Sequence, residues 1–386
     1  MVYWESGDMN MVDRRKFENL NIEASLLGFG CMRFPKNKDE SIDEEKSFAM
    51  MDEAYKNGVN YFDTAYVYHE GKSEEFVGRA LAKYDRSSFF VATKLPIWLV
   101  NSVEDAKRLF EEQLARLNME YIDFYLLHAL NKERFDQMVS LGILEFCDQL
   151  KAEGKIRHFG FSFHDDYEAF SHIINYRKWD FCQIQFNYMD TEEQAGMKGY
   201  QLAESLGIPM VIMEPIKGGS LIKLPDSVLK HFTDLAPEKG TASWALRWVA
   251  TLPNVKVVLS GMSSEIQLKE NLETFTSFEP LNEKEQEAVT KVMLALKSRV
   301  KNGCTGCSYC MPCPAGVDIP KNFKIWNNYG IFHNIGEAKW VWNNDFKEEE
   351  KAKNCISCGK CEEMCPQKIN IREDLKQVQI EMDKVK

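Results

Sequence analysis

The strongest constraint on this chain lies near its end. Eight of its eleven cysteines fall in two runs that nearly repeat: Cys304, Cys307, Cys310 and Cys313-Pro314, then Cys355, Cys358, Cys361 and Cys365-Pro366. Structural zinc also uses pairs of cysteines two residues apart, but it normally takes two separate pairs, not a triplet closed by Cys-Pro. Disulfides fit less well, because nothing in the sequence suggests export and a reducing cytosol disfavours them. Each proline lacks an N–H, so the chain cannot run on there as an ordinary helix.

The two runs resemble the bacterial two-cluster ferredoxin pattern, in which the fourth cysteine of each run ligates the other cluster. The resemblance implies two [4Fe–4S] clusters, and hence an electron carrier. It also implies crossed ligation. One cluster takes Cys304, Cys307, Cys310 and Cys365, and the other takes Cys355, Cys358, Cys361 and Cys313. The first run departs from the pattern in having two residues before its last cysteine in place of three.

At 386 residues the chain has room for one large domain and one small one. No apolar run approaches the length of a membrane span, so no membrane partner is expected. Residues 1–16 carry acidic side chains and no apolar core, unlike a signal peptide, and Met9 or Met11 is an alternative start. The expected location is cytoplasmic. A formal net charge of −11 argues against nucleic acid as a partner. From Lys301 onward, 13 basic and 12 acidic side chains nearly cancel before any metal is counted. Residues 347–353 (KEEEKAK) read as a solvated helix start.

Upstream of the cysteines, short β-like runs alternate with amphipathic helical stretches. Strands are expected over 26–31, 61–65, 89–95, 122–128, 159–163, 181–187, 210–215 and 255–260. Helical patterns follow over 44–56, 73–83, 103–117, 135–151, 167–176, 192–205, 241–250 and 265–275, with a further helix over 283–300. Strands that alternate with helices imply a parallel sheet with crossover helices. Eight such units in about 250 residues is the size of a TIM (β/α)8 barrel. The expected architecture is therefore α/β, with the barrel over 12–296 and a mostly helical, ferredoxin-like iron–sulfur domain over 297–386. Between the cysteine runs, Trp326, Tyr329, Phe332, Trp340 and Trp342 read as the core of that small domain.

In a TIM barrel the active site forms at the C-terminal ends of the strands. Asp63, Lys94 and His128 end three consecutive expected strands, and Tyr68 follows Asp63 by five residues. A single histidine at a strand end is usually a hydrogen-bonded core residue, whereas four such groups together point to chemistry. With its LGFGCMRFP, YHEGKSE and MEPIKGG segments, the region from about Asp13 to Phe275 is similar to the aldo/keto reductase family, in the branch that carries a C-terminal ferredoxin-like domain.

The resemblance maps the family's Asp-Tyr-Lys-His tetrad onto Asp63, Tyr68, Lys94 and His128. Tyr68 would protonate a substrate carbonyl as hydride arrives at carbon, and His128 would orient that carbonyl. The Lys94 ammonium would lower the phenol pKa of Tyr68, and Asp63 would hold Lys94 in place.

For the nicotinamide carboxamide the resemblance offers Ser162 and Gln183. The family's Asn position is Phe163 here, and its stacking aromatic is replaced by Glu214. Glu270 and Asn271 match the adenine-end motif. Lys217, Gly218 and Gly219 either approach a pyrophosphate or form an ordinary Gly-rich turn. Gly261 and Gln267 stand where NADP-binding members often place cations, so the NAD(P)(H) cofactor is expected to be NAD(H). Cys31, Cys147 and Cys182 read as buried core residues, and Arg33 as a pocket or surface cation.

The resulting reading is an oxidoreductase that reduces or oxidises a small carbonyl or alcohol substrate, coupled to electron transfer through two clusters. Hydride carries two electrons and a cluster passes one, so either a flavin binds here, or a redox protein partner supplies it, or the two halves are not coupled. The alternative is an electron-transfer module whose barrel docks a partner or flavin without carbonyl chemistry. A third reading makes the clusters structural staples.

Overall fold

A computed structural model describes residues 11–385, and the alternative start at Met9 lies outside them. The chain divides into two compact units. The first comprises residues up to Gly218 together with Ala242–Asn282, and the second comprises Gly219–Thr241 and Glu283–Lys386.

The first unit begins with an antiparallel hairpin, β1 (Arg14–Phe17) and β2 (Ile22–Ser25). Eight parallel strands follow: β3 (Leu27–Gly30), β4 (Tyr61–Asp63), β5 (Phe90–Leu95), β6 (Ile122–Leu130), β7 (Ile156–Phe163), β8 (Phe181–Gln185), β9 (Met210–Met213) and β10 (Val255–Ser260). They pair in sequence order and β10 closes onto β3, which gives a barrel. The hairpin was not anticipated from the sequence, because its strands are only four residues long and half exposed.

Side chains alternate across a strand, so every second residue of a barrel strand points inward. Tyr61, Ala92, Phe124, Phe181, Val211 and Val257 form an apolar cluster there, joined by Phe17 from the hairpin. Phe124 is its centre, with ring centroids 4.9 Å from Tyr61, 4.9 Å from Phe181 and 5.6 Å from Phe17. Gly28 is required beside this core, since a Cβ there would sit 2.5 Å from Val257 and 2.7 Å from Leu259. Two residues further along β4, β5 and β8, and four along β6, the inward positions turn polar at Asp63, Lys94, Gln183 and His128, and Ser162 of β7 pairs with Gln183. The apolar layer closes the lower barrel and carries a polar layer above it.

The helices follow the expected periodicity with local corrections. Val103–Leu117 buries Ala106, Leu109, Phe110, Gln113 and Leu117, one face of a 3.6-residue repeat. Ser102 caps it, and Asn118 at φ +52° ends it. The stretch expected as one helix over 135–151 is two, Lys132–Ser140 and Ile143–Ala152, because Gly142 takes φ +74° between them. The helix expected from 192 starts at Gly196.

The second unit is helical among its described residues. It comprises Asp226–Thr233, Glu283–Lys297, Ile319–Phe332, Ile335–Asn344, Lys360–Met364 and Ile371–Lys384. Phe323, Trp326, Trp342, Val378 and Met382 form its core, while Trp340 is exposed. The 347–353 stretch is a pair of 3-10 turns, not a solvated helix start. Its Lys351 is buried, with the ammonium 5.4 Å from the Trp342 ring centroid and paired with Glu348. Cation–π contact and ion pairing together keep the lysine inside.

Phe124→Ala should destabilise the barrel by about 3–5 kcal/mol, because it empties the centre of the apolar layer. A chemical-denaturation series followed by far-UV circular dichroism would show the shifted midpoint.

Candidate active site and cluster sites

The end of β4 and the loop behind it build the core of the site. Asp63 is the last residue of β4, and Thr64 Oγ1 donates to Ser73 Oγ at 2.9 Å, pinning the two ends of the loop that carries Tyr68. Ser73 Oγ in turn donates to the Cys31 carbonyl at 3.1 Å, which ties the loop to the end of β3. After Tyr68 the backbone takes two consecutive left-handed residues, His69 at φ +50° and Glu70 at φ +55°. A conformation this sparsely populated is held by its surroundings and fixes the direction of Tyr68.

Lys94 reaches inward from β5 with a side chain only 1% exposed. Its Nζ donates to Asp63 Oδ1 at 2.7 Å and to the Thr64 carbonyl at 2.8 Å. Its ammonium lies 5.1 Å from the centroid of the Tyr68 ring. Behind β5, Gln113 Nε2 donates to the Lys94 carbonyl at 3.0 Å and to Glu74 Oε1 at 2.8 Å. Burial alone would push Lys94 down, but Asp63 and then Tyr68 outweigh it and hold the amine above its ordinary value. Lys94 is therefore a charged ammonium at neutral pH.

The Tyr68 phenol departs from expectation. Burial raises its pKa, and the Lys94 ammonium offsets this only in part, so the net direction is upward. The sequence shows the neighbouring cation but not the depth at which the phenol sits.

His128 owes its placement to a break in β6. The register with β7 shifts between Leu127 and Leu130, and Ala129 takes φ +53°. Such a bulge re-aims side chains at a sheet end. It places the His128 ring 6.1 Å from Tyr68 and 5.1 Å from Trp98, centroid to centroid. It also turns the Ala129 amide onto Ser162 Oγ at 2.8 Å. Burial first, and then the charge of Lys94, push His128 down to about 3. His128 is a neutral imidazole across the physiological range, and its Nδ1 is buried with no partner among the described residues.

The other expected contacts lie on β7, on β8 and in the segments that follow β9 and β10. Ser162 and Gln183 are paired positions of β7 and β8. Gln183 Nε2 reaches Met213 Sδ at 3.6 Å, while its Oε1 is buried with no partner among the described residues. Phe163 packs edge-on against Phe170 in the core, and Glu214 is exposed at φ +54°. Lys217 donates 2.7 Å bonds to both carboxylate oxygens of buried Asp190, which also accepts from Gln185 and Asn187. Gly218 and Gly219 take φ +63° and +102°, and a Cβ on either would meet nothing. Asn271 is buried and donates to Ser260 Oγ at 2.7 Å, while Glu270 on the same helix is exposed. Gln267 Oε1 accepts from the Ser263 amide at 2.8 Å. Gly261 leaves room for Arg33, whose Cγ lies 2.7 Å from where a Cβ would stand. Cys31, Cys147 and Cys182 are buried, as expected.

A cleft of about 1320 Å³ opens at Tyr68 and His128, and Ser162, Gln183, Lys217, Gly218, Gly219, Glu270 and Asn271 do not line it. Tyr68, His128 and Trp98 line one part of it, and Arg33, Lys36 and Ser264 another. Trp98 was not singled out from the sequence, although it lies only four residues beyond Lys94. Asp190 was also missed. The one signal for it was a carboxylate in a polar stretch after an expected strand.

In the second unit the cysteines gather into two sets. Cys304, Cys307, Cys310 and Cys365 line one space of about 20 Å³. Cys313, Cys355, Cys358 and Cys361 line another of about 230 Å³, with Cys310 standing between the two. The last cysteine of each run thus lies with the triplet of the other. Four thiolates per site is the donor set of a [4Fe–4S] cluster.

The sequence profile of the aldo/keto reductase family matches residues 26–293. The chain belongs to that family. A profile for a 4Fe-4S dicluster domain matches residues 303–369, downstream of the aldo/keto reductase barrel. An uncharacterised oxidoreductase of Bacillus subtilis is 26% identical over 300 residues, covering 67% of this chain and 90% of that protein. The NADH-specific methylglyoxal reductase of Escherichia coli is 31% identical over 264 residues, covering 57% of this chain and 79% of its own. Among solved structures, the holo form of an aldo-keto reductase from Bacillus halodurans aligns with a TM-score of 0.62 at 27% identity, over 73% of this chain and 96% of that one. Among the described residues, no helix is long and apolar enough to cross a membrane.

A depressed His128 means that the unfolded chain binds a proton before the folded one does. Its contribution to stability is complete above about pH 6.5 and is lost as pH falls toward about 3. The ring proton signals of His128 in NMR spectra should therefore stay fixed between pH 5 and 8. A midpoint near the ordinary histidine value would contradict this.

Proposed function

We propose that the barrel interconverts a small carbonyl compound and its alcohol with a nicotinamide cofactor. The cysteine-rich unit would hold two [4Fe–4S] clusters that exchange single electrons with a redox protein partner. The observation that carries the reading is the buried Asp63–Lys94 pair beside Tyr68 and His128 at the barrel mouth.

The nicotinamide ring, when bound, supplies or accepts the hydride. Ser162 and Gln183 would hold its carboxamide, and the unpartnered Gln183 Oε1 is an acceptor suited to an amide N–H. Lys217, Gly218 and Gly219 would face the pyrophosphate, and Glu270 and Asn271 the adenine end. Gly261 carries no cation of its own, and Arg33 packs beside it through Cβ and Cγ. The NADH specificity in the name of the E. coli relative favours NADH.

The chain's own residues divide the remaining work. His128 is neutral and can donate a hydrogen bond to the carbonyl oxygen without giving up its proton. Tyr68 holds its proton firmly, so it donates only as negative charge develops on that oxygen. Lys94 then stabilises the phenolate left behind, and Asp63 keeps Lys94 charged throughout. Dividing a hydride into single electrons calls for a flavin-like carrier, and we place that division on the redox partner.

The second reading, an electron-transfer module without carbonyl chemistry, is favoured by Phe163 and Glu214, which replace the family's Asn and stacking aromatic. Tyr68→Phe separates the two. On the first reading it lowers NADH-dependent reduction of methylglyoxal by about 10²–10⁴-fold with cluster absorbance unchanged. On the second reading there is no such activity to lose.

Crossed ligation has its own test. Cys365→Ser should disturb the cluster of the first triplet, and Cys313→Ser that of the second. Electron paramagnetic resonance of each reduced variant would show one native and one altered signal, with the altered cluster exchanged between the two variants.

A further inference from the structure

The two thiolate sites differ in what surrounds them. The site of Cys304, Cys307, Cys310 and Cys365 is walled by Ile319, Phe323, Ile369 and Ile371, and no charged side chain lines it among the described residues. Its crossing ligand, Cys365, is buried at 7% exposure. The site of Cys313, Cys355, Cys358 and Cys361 is wider and is lined by Lys360 and Arg372. Its crossing ligand, Cys313, is half-exposed.

Arg372 is held in place. Its Nε donates to Glu362 Oε2 at 2.9 Å, and its backbone N–H donates to Glu362 Oε1 at 2.9 Å. Its Nη1 lies 3.8 Å from where a Cβ on Gly359 would stand, between ligands Cys358 and Cys361. The guanidinium therefore rests against the ligand loop of one site alone.

Resting on the two-cluster reading above, we infer that the clusters are electronically unequal. When one electron enters the domain from an external donor, it settles on the cluster of Cys313, Cys355, Cys358 and Cys361, and Arg372 holds it there. Reduction by one electron would add one negative charge to a cluster. A fixed cation beside the site favours that charge, and burial in an apolar wall opposes it. Apolar side chains wall both sites, with Ile356, Met364 and Leu375 standing at the one beside Arg372, so the cation is the difference that sets the order. Hydrogen bonding, exposure and local charge are the protein's means of setting cluster potentials.

The test is an anaerobic redox titration of the full-length holoprotein with dithionite, followed by electron paramagnetic resonance. Wild-type protein should show two separate reduction steps. Arg372→Gln should lower the upper step enough to change electron sharing between the clusters about tenfold, which is about 59 mV for one electron. Arg372→Lys should keep most of the separation. Glu362→Gln removes the opposing charge and should raise the upper step. A merely structural role would move both glutamine variants in the same direction. If neither variant moves a step, or if the lower step moves instead, the inference is overturned. If Arg372→Gln loses iron, Glu362→Gln decides alone, and an upper step that stays or falls overturns the inference. Fewer than about eight irons per wild-type chain would instead overturn the two-cluster reading on which it rests.

Discussion

A cation and a carboxylate lie side by side, buried in the polar layer above the apolar barrel core. Taking a single charge that deep costs several kcal/mol, and the pair is tolerable only because Lys94 meets Asp63 at 2.7 Å and a backbone carbonyl at 2.8 Å. The rest of the site is arranged around that arrangement. The pair charges the space beneath Tyr68, helps to keep His128 neutral, and needs the Gln113–Glu74 network behind β5 to fix the strand that carries Lys94. Below it, the aromatic layer around Phe124 fills the lower barrel and makes the support rigid.

The two units solve the stability problem differently. The barrel encloses a large continuous core from strands and helices alike. The cysteine-rich unit has a small core centred on Phe323, Trp342 and Val378, with cysteines packed against its edge. A small core of this kind gains from metal crosslinks, so the same thiolates that would carry electrons would also hold the unit together. This couples function to folding in the second unit more tightly than in the first.

The order and type of the eight barrel strands were legible because each is a short apolar run between helical periods. On β4, β5 and β8 successive inward positions then pass from an apolar layer to a polar one. The hairpin β1–β2 was not legible, because half-exposed four-residue strands carry little pattern. The bulge at His128–Ala129 was not legible either, since a left-handed alanine has no sequence signature, yet it sets the aim of His128. For Tyr68, charge proximity could be read from residue order, but the burial that reverses the direction of its pKa could not. The packing of Arg33 on Gly261 was not legible either, because a contact between two strand ends leaves no signature along the chain.

The central claim is that hydride chemistry takes place at Tyr68. The most direct test is the anaerobic reduction of methylglyoxal by the holoprotein with NADH deuterated at both C4 positions, with the product alcohol analysed by mass spectrometry and NMR. The account predicts one deuterium on the carbinol carbon and a solvent proton on its oxygen. An alcohol whose carbon-bound hydrogen came from solvent, or no alcohol at all, would contradict it and would leave the barrel as a platform for electron transfer.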